Sequence, residues 1–119
     1  MRSLQLLHEL KFRESEPVAE PLFVDKEGRI LRFCLQPHQG IAEHTVPNSP
    51  FYVVILKGHG MFSDGKGEEI QLGPNSLMVF NPGETHAVRA LDEELVFVGF
   101  LQGVAGAREE RVGGVMGDA

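Results

Sequence analysis

The sequence predicts an all-β fold, because short strand-like runs alternate with turn signals along most of the chain and no convincing amphipathic helix competes with them. Many short strands at close spacing, separated by glycine and proline, are typical of β-sandwiches and β-barrels. In chain order the runs are PLFV, RILRFCL, FYVVIL, EEIQL, SLMVF, HAVRA and ELVFVGF, and the turns are DKEG, PHQG, PNSP, KGHG, SDGKG, LGPN, NPGE and LDEE.

Three of the runs carry information about burial. FYVVIL and LVFVGF are apolar on both faces, so we expect each to form a central strand that is covered on both sides. RILRFCLQ alternates instead, with leucine and phenylalanine on one face and Arg32, Cys34 and Gln36 on the other, which predicts one buried and one wetter face. Cys34 is the only cysteine, so an internal disulfide is impossible, and we interpret it as a core residue.

The length of the chain fits one domain. Its 119 residues are enough for a single hydrophobic core. We divide the sequence into an amino-terminal strand or arm at 1–21, a barrel at 22–101 and a glycine-rich carboxy-terminal tail at 102–119. The amino-terminal segment LQLLHEL has apolar residues close to helical spacing, but a terminal strand fits it as well.

The composition excludes two classes of partner. Acidic residues outnumber basic ones by 17 to 11, which gives a formal charge of −6, and no cluster of lysine and arginine reverses that sign locally. We therefore expect no nucleic-acid binding. No apolar run approaches the ~20 residues that span a bilayer, and the amino terminus lacks the features of a secretory signal. These observations predict a cytoplasmic protein with no membrane partner.

Two histidines stand at comparable places in the predicted sheet. His44 precedes the apolar run FYVVIL in the stretch GIAEHTVPNSPFYVVILKG, and we expect it to open a strand. His86 follows the tight turn NPGE in the stretch LGPNSLMVFNPGETHAV and opens the strand HAVRA. If these strands are neighbours in one barrel, both imidazoles converge on its interior and define one shared site.

These two stretches resemble the paired motifs of the cupin superfamily. The family's first motif has the form G-x5-H-x-H-x(3,4)-E-x6-G and its second the form G-x5-P-x-G-x2-H-x3-N. The most specific pieces are YVVILKGHG and NPGETH, and with the flanking strands the resemblance covers 22–101. It implies a cupin-type double-stranded β-helix, or jelly-roll barrel, that assembles as a homodimer. The amino-terminal segment LQLLHELKF, which can pair with a partner's sheet edge, agrees with a homodimer.

The match to the first motif is incomplete. His44 falls at its first histidine and Gly58 at its closing glycine, but Val46 stands at the second histidine position and Phe51 at the glutamate position. In the second motif, Gly83 and His86 match. Two of the family's four metal ligands are therefore kept. Because a divalent metal usually needs three or more protein ligands, we expect zinc, nickel, iron or manganese to bind weakly or not at all.

No third ligand is apparent, and the pocket is expected to be apolar. His38, His59 and Glu84 lie in turns, and Glu43 faces away from its neighbour His44 in a regular strand. Small barrels that hold ligands are lined mainly by apolar side chains. We expect the ligand pocket to be lined by Phe33, Phe51, Val53, Phe62, Met78, Phe80 and Phe97, although the phenylalanines are most simply core residues.

Two classes of function remain open. The first is a binding module that holds a small molecule, with or without a metal ion, beside His44 and His86. The second is an enzyme, either a metal-dependent oxygenase, which needs three metal ligands, or a metal-free isomerase or epimerase that uses histidine as a base. Tyr52 is the one candidate acid on a strand, but alternation turns it away from Phe51. The sequence favours binding over catalysis.

Overall fold

The computed structural model describes residues 1–103, which form two antiparallel β-sheets with no α-helix in that range. The prediction of an all-β fold is confirmed. No helix of these residues has the length and apolarity needed to cross a membrane. The strands are β1 Val18–Asp25, β2 Gly28–Leu35, β3 Gly40–His44, β4 Phe51–Lys57, β5 Gly60–Ser63, β6 Glu69–Leu72, β7 Leu77–Phe80, β8 His86–Ala90 and β9 Leu95–Gln102.

The two sheets pack over one core. The first has five strands in the order β1-β2-β9-β4-β7, and the second has four in the order β3-β8-β5-β6. As predicted, β4 and β9 are central strands that pair with a neighbour on each side. The expected cover on both faces is found for most of β9, whereas the outer face of β4, with Tyr52 and Val54, is only partly buried. Phe33 and Phe97 stack in the core with ring centroids 4.6 Å apart, and Phe62 meets Phe97 edge-on at 5.7 Å.

The expectation of a wetter outer face on β2 is wrong. Arg32 and Cys34 are only 4% and 1% exposed. The amino-terminal residues before β1, here called the arm, cover this face, and the Arg32 guanidinium donates to the backbone carbonyls of Leu6 and His8 at 2.9 and 3.2 Å. It also pairs with the Glu20 carboxylate at 2.7 Å. The alternation in the sequence cannot predict this cover, since it comes from a distant segment of the chain.

A second set of hydrogen bonds, from Gln39, holds the part of the arm nearer to β1. The side-chain amide of Gln39 donates to the carbonyls of Arg13 and Glu14 at 2.8 and 3.1 Å. β1 then begins at Val18, so it spans the predicted boundary between the segment 1–21 and the barrel. Most of the predicted tail, from residue 104 onward, lies outside the described residues.

Candidate functional site

His44 and His86 meet on two neighbouring strands of the four-stranded sheet. They are direct partners in the antiparallel pairing of β3 with β8, and their ring centroids lie 4.1 Å apart at an interplanar angle of 69°. The register shifts between Ile41 and His44, where β3 carries one residue more than its partner. Because of this bulge, His44 faces the core together with Ile41, which simple alternation would not allow.

The strand that carries His44 differs from the expected one. His44 ends β3, and the loop at 45–50 separates it from β4, so the expectation that it opens the strand FYVVIL is wrong. The segment GIAEH buries only Ile41 fully, and such a short run gives little apolar periodicity to find. The strand β5, GMFS, was missed for the same reason.

Backbone carbonyls fix the tautomers of both rings. The Nδ1 of His44 lies 2.9 Å from the carbonyl oxygen of Ala42, and the Nδ1 of His86 lies 3.3 Å from that of Glu84. A carbonyl only accepts, so each Nδ1 is the protonated nitrogen and each Nε2 keeps a free lone pair. Both Nε2 atoms are buried, and neither has a hydrogen-bond partner among the described residues.

Burial also keeps both imidazoles neutral. It lowers the pKa of His44 below its ordinary value of 6.5. For His86, burial and then the neighbouring His44 lower the pKa to about 4. At neutral pH the pair therefore presents two hydrogen-bond acceptors and no positive charge.

Phenylalanine rings enclose the pair. Phe51 and Phe80 lie against His86, with centroid distances of 4.9 and 4.7 Å and interplanar angles of 30° and 31°. Phe51, at the position where the cupin motif has its glutamate, thus places an apolar ring beside the imidazole. Gly99 makes room for it, since a Cβ there would collide with the Phe51 ring.

The space left between these side chains, here called the inner cavity, has a volume of about 10 Å³. That is room for about one water molecule or one ion. Four of the predicted pocket residues, Phe51, Phe62, Phe80 and Phe97, line this cavity together with the two histidines. Phe33 and Val53 are instead fully buried in the surrounding core.

A larger cavity lies next to the inner one, where the edge strands β6 and β7 of the two sheets leave the barrel open. This mouth cavity has a volume of about 380 Å³. Phe62 and Phe80 line both cavities and so form the wall between them. Met78, also predicted to line the pocket, lines the mouth cavity. Its remaining residues are Ser63, Asp64, Glu68, Glu69, Ile70, Val79 and Glu84.

Sequence reasoning missed the acidic rim of the mouth cavity. Asp64, Glu68 and Glu69 come from the SDGKGEE segment, which reads as a hairpin turn, and Glu84 comes from the turn NPGE. The carboxylates were visible in the sequence, but only the packing of β6 opposite β7 shows that they face one cavity.

The histidines considered as third ligands lie at the surface. His38 is exposed and its Nε2 lies 3.3 Å from the Asp92 carboxylate. His59 is also exposed, and its Nδ1 lies 2.9 Å from the Glu93 carboxylate. Neither lines the inner cavity.

The carboxylates considered as third ligands do not reach the histidine pair either. Glu43 is exposed, and the Glu84 carboxylate accepts a hydrogen bond from the backbone N–H of Asn81 at 2.8 Å. Within residues 1–103 no group of three histidine, cysteine, aspartate or glutamate side chains is placed to hold a metal. The donor set is thus two neutral imidazoles with no carboxylate, which does not fit a four-ligand cupin metal centre.

Tyr52 lies on the outer face of the five-stranded sheet. Its neighbours Phe51 and Val53 are buried in the core, and its hydroxyl accepts a hydrogen bond from the side-chain amide of Gln102 at 3.1 Å. Tyr52 lines a surface groove with Phe100 and does not line the inner cavity. The candidate acid and the candidate base are therefore on opposite sides of the sheet.

The fold and the sequence together identify the family. The cupin domain model matches residues 31–100, more than half of the chain, so this chain belongs to the cupin family. This confirms the resemblance that the two histidine motifs indicated. A comparison with curated proteins finds no match.

Solved structures show the same fold. A conserved protein with a double-stranded β-helix domain from Klebsiella pneumoniae superposes with a TM-score of 0.82 at 18% identity, covering 87% of this chain and 91% of the other. An RmlC-like cupin from Desulfovibrio desulfuricans gives 0.76 at 24% identity, covering 85% and 96%. The cupin domain of an XRE family transcriptional regulator from Enterobacter cloacae gives 0.65 at 22% identity, covering 74% and 97%.

Proposed function

We propose that this chain is a binding protein that holds a small molecule at the His44–His86 pair. The observation that carries the proposal is the two buried Nε2 atoms that lack a hydrogen-bond partner among the described residues. Leaving one buried polar atom unpaired costs about 1–3 kcal/mol, so a ligand that donates to both nitrogens recovers a large part of that cost. The enclosing phenylalanines leave no other polar side chain in the lining of the inner cavity to satisfy these nitrogens.

The arrangement supports binding better than catalysis. A metal-dependent oxygenase needs three protein ligands around an ion with open positions, and this site supplies two. A metal-free isomerase needs a base and a positioned acid. The neutral imidazoles could serve as bases, but Tyr52 lies on the outer face and no other acid lines the inner cavity.

Thermal unfolding tests the binding function. A ligand that binds only the folded state raises the melting temperature by mass action. We expect some member of a panel of small amines, alcohols, carboxylates and sugars to raise it for the wild type but not for His44→Ala or His86→Ala. His38→Ala, which removes an exposed histidine, is the matched control and should behave as wild type. Equal stabilisation of all four proteins by every active compound would contradict a site at the pair.

Weak metal binding is the second candidate. The favouring observation is that each Nδ1 donates to a backbone carbonyl, which is how metal-binding histidines are usually oriented. Zinc or nickel held by two imidazoles alone would bind less tightly than in a four-ligand cupin. We expect elemental analysis to find less than one ion per chain, with any bound ion lost in both His44→Ala and His86→Ala. Full occupancy that survives either substitution would exclude this assignment.

The same proposal includes a homodimer. Leu4 and Leu7 in the arm and Leu77 and Val79 on the edge strand β7 are all exposed, although they are large and apolar. Pairing with a second copy would cover such surface and remove an open sheet edge. Light scattering at micromolar concentration should give twice the mass of one chain, and a monomer mass would be evidence against the dimer.

A further inference from the structure

The mouth cavity gives the proposed ligand a chemical class. Its rim carries four carboxylates, from Asp64, Glu68, Glu69 and Glu84. Within residues 1–103 no salt bridge reaches any of them, and no arginine or lysine lines the cavity. The rest of the lining is mainly apolar, from Phe62, Ile70, Met78, Val79 and Phe80.

Two of these carboxylates have structural roles that leave their charge in place. Asp64 accepts hydrogen bonds from the backbone N–H groups of Lys66 and Glu68 at 2.7 and 3.2 Å, and thus holds the turn. Glu84 accepts from the backbone of Asn81. Glu69, like Glu68, is exposed. Because none of these contacts neutralises a carboxylate, the rim attracts cations and repels anions.

The inner cavity favours the same kind of ligand. His86 is only 4% exposed, and its Nε2 and that of His44 accept hydrogen bonds but cannot donate them. The faces of Phe51 and Phe80 lie against the His86 ring, so the two Nε2 atoms are the polar groups that a ligand meets there. A volume of about 10 Å³ admits one non-hydrogen atom with its protons. An ammonium head has this size, carries three N–H donors and bears the favoured charge.

We propose that the ligand is a primary amine, with its ammonium head at the Nε2 atoms of His44 and His86 and its apolar body in the mouth cavity. This inference rests on the proposed binding function and specifies its ligand. To reach the pair from the mouth cavity the head passes between Phe62 and Phe80, the wall that the two cavities share, so these two rings must move apart when the ligand enters. Binding a cation beside neutral imidazoles carries a desolvation cost, which the hydrogen bonds to the two Nε2 atoms and the attraction of the rim carboxylates offset.

The test compares three probes of equal length that differ only in their head group: hexylamine, hexanol and hexanoate. The full chain is labelled with ¹⁵N in its histidine rings, freed of metal with a chelator and titrated at constant pH and ionic strength. We expect hexylamine to shift the Nε2 signals of His44 and His86 saturably. Hexanol should bind at least tenfold more weakly, since it lacks the charge, and hexanoate should leave both signals unchanged.

Matched variants locate the contribution of the rim. Replacing Glu68 and Glu69 together by glutamine should weaken hexylamine binding about two- to fivefold, the range for exposed charge pairs. Binding of hexanol should be unaffected. Glu27→Gln removes an exposed carboxylate that does not line the mouth cavity and should leave both affinities as in the wild type. His86→Phe, checked for folding by circular dichroism, should abolish binding of hexylamine.

The outcomes separate this inference from the function on which it rests. Hexanol or hexanoate binding as tightly as hexylamine would overturn the assignment to amines. So would an unchanged hexylamine affinity in the double glutamine variant. If hexylamine fails while another compound stabilises the protein only when both histidines are present, the amine is wrong and the binding site stands. If no compound depends on the histidines, both proposals are overturned.

Discussion

Two regions of this barrel bury polar side chains, and the regions differ in how fully the side chains are hydrogen-bonded. On the outer face of the five-stranded sheet, both terminal nitrogens of Arg32 have partners in the arm and in Glu20, and only Nε is left over. In the inner cavity, His44 and His86 each use one nitrogen to hold the ring in place and leave the other without a partner among the described residues. Satisfied polar groups indicate a structural role, whereas unsatisfied ones facing a cavity indicate a site for a ligand.

The largest expected effect is a loss of stability when Arg32, which holds the arm, is replaced. Arg32→Met leaves the Glu20 carboxylate and the arm carbonyls without their partner, so we expect the free energy of unfolding to fall by about 3 kcal/mol. Denaturant titration measures this loss. Arg13→Met removes an arginine in an exposed pair with Glu16 and should change the value by less than about 1 kcal/mol. Equal effects of the two substitutions would show that Arg32 does not fasten the arm.

The pH dependence of stability tests whether the imidazole of His86 is kept neutral in the folded protein. The pKa of His86 is about 4 in the folded protein, below its ordinary value of 6.5, so the unfolded chain takes up the proton first as the pH falls. The stability that comes from keeping His86 neutral is therefore complete above pH 6.5 and is lost between 6.5 and about 4, a change on the order of 3 kcal/mol. Denaturant titrations of the chelator-treated protein across this range measure it.

Other groups also contribute to the pH dependence of stability, so the control is a variant that lacks the imidazole. His86→Phe should show a flatter decline between pH 6.5 and 5 than the wild type, and His38→Ala should show the same decline as the wild type. A wild-type curve that is flat down to pH 5 would mean that His86 accepts a proton readily in the fold.

The smallest expected effect is a gain in stability, from the substitution His86→Phe. At pH 7.5, His86→Phe removes an unpaired buried nitrogen and puts a similar ring among Phe51 and Phe80, so the unfolding free energy should rise by about 1–2 kcal/mol. His59→Phe, at an exposed position, should give no such gain. Destabilisation by His86→Phe would mean that the imidazole stabilises the fold, whereas a residue present for ligand binding is expected to cost stability.

The sequence predicted the parts of the fold that depend on local side-chain chemistry. The apolar runs that form β4 and β9 are found as interior strands of the five-stranded sheet, and β9 is buried on both faces along most of its length. The two histidines that the motifs singled out do lie side by side. Whether they bind a ligand or a metal stays a prediction.

The features that escaped prediction depend on distant or subtle geometry. The bulge between Ile41 and His44 changes the face of one residue without any mark in composition. The cover over β2 comes from a segment more than twenty residues away, through the bonds that Arg32 makes to Leu6 and His8. The mouth cavity requires β6 and β7 to face each other across two sheets, and no single stretch of sequence contains that information.

The arm makes the thiol of Cys34 a reporter of how often the arm detaches from β2. Cys34 is 1% exposed on the face that the arm covers, and burial raises the pKa of its thiol, so a thiol reagent reaches it only when that cover lifts. Because Cys34 is the only cysteine in the chain, every labelled molecule reports the same event. The rate of labelling in native buffer therefore measures how often the arm detaches, and comparing it with the global unfolding rate shows whether the arm opens independently of the barrel.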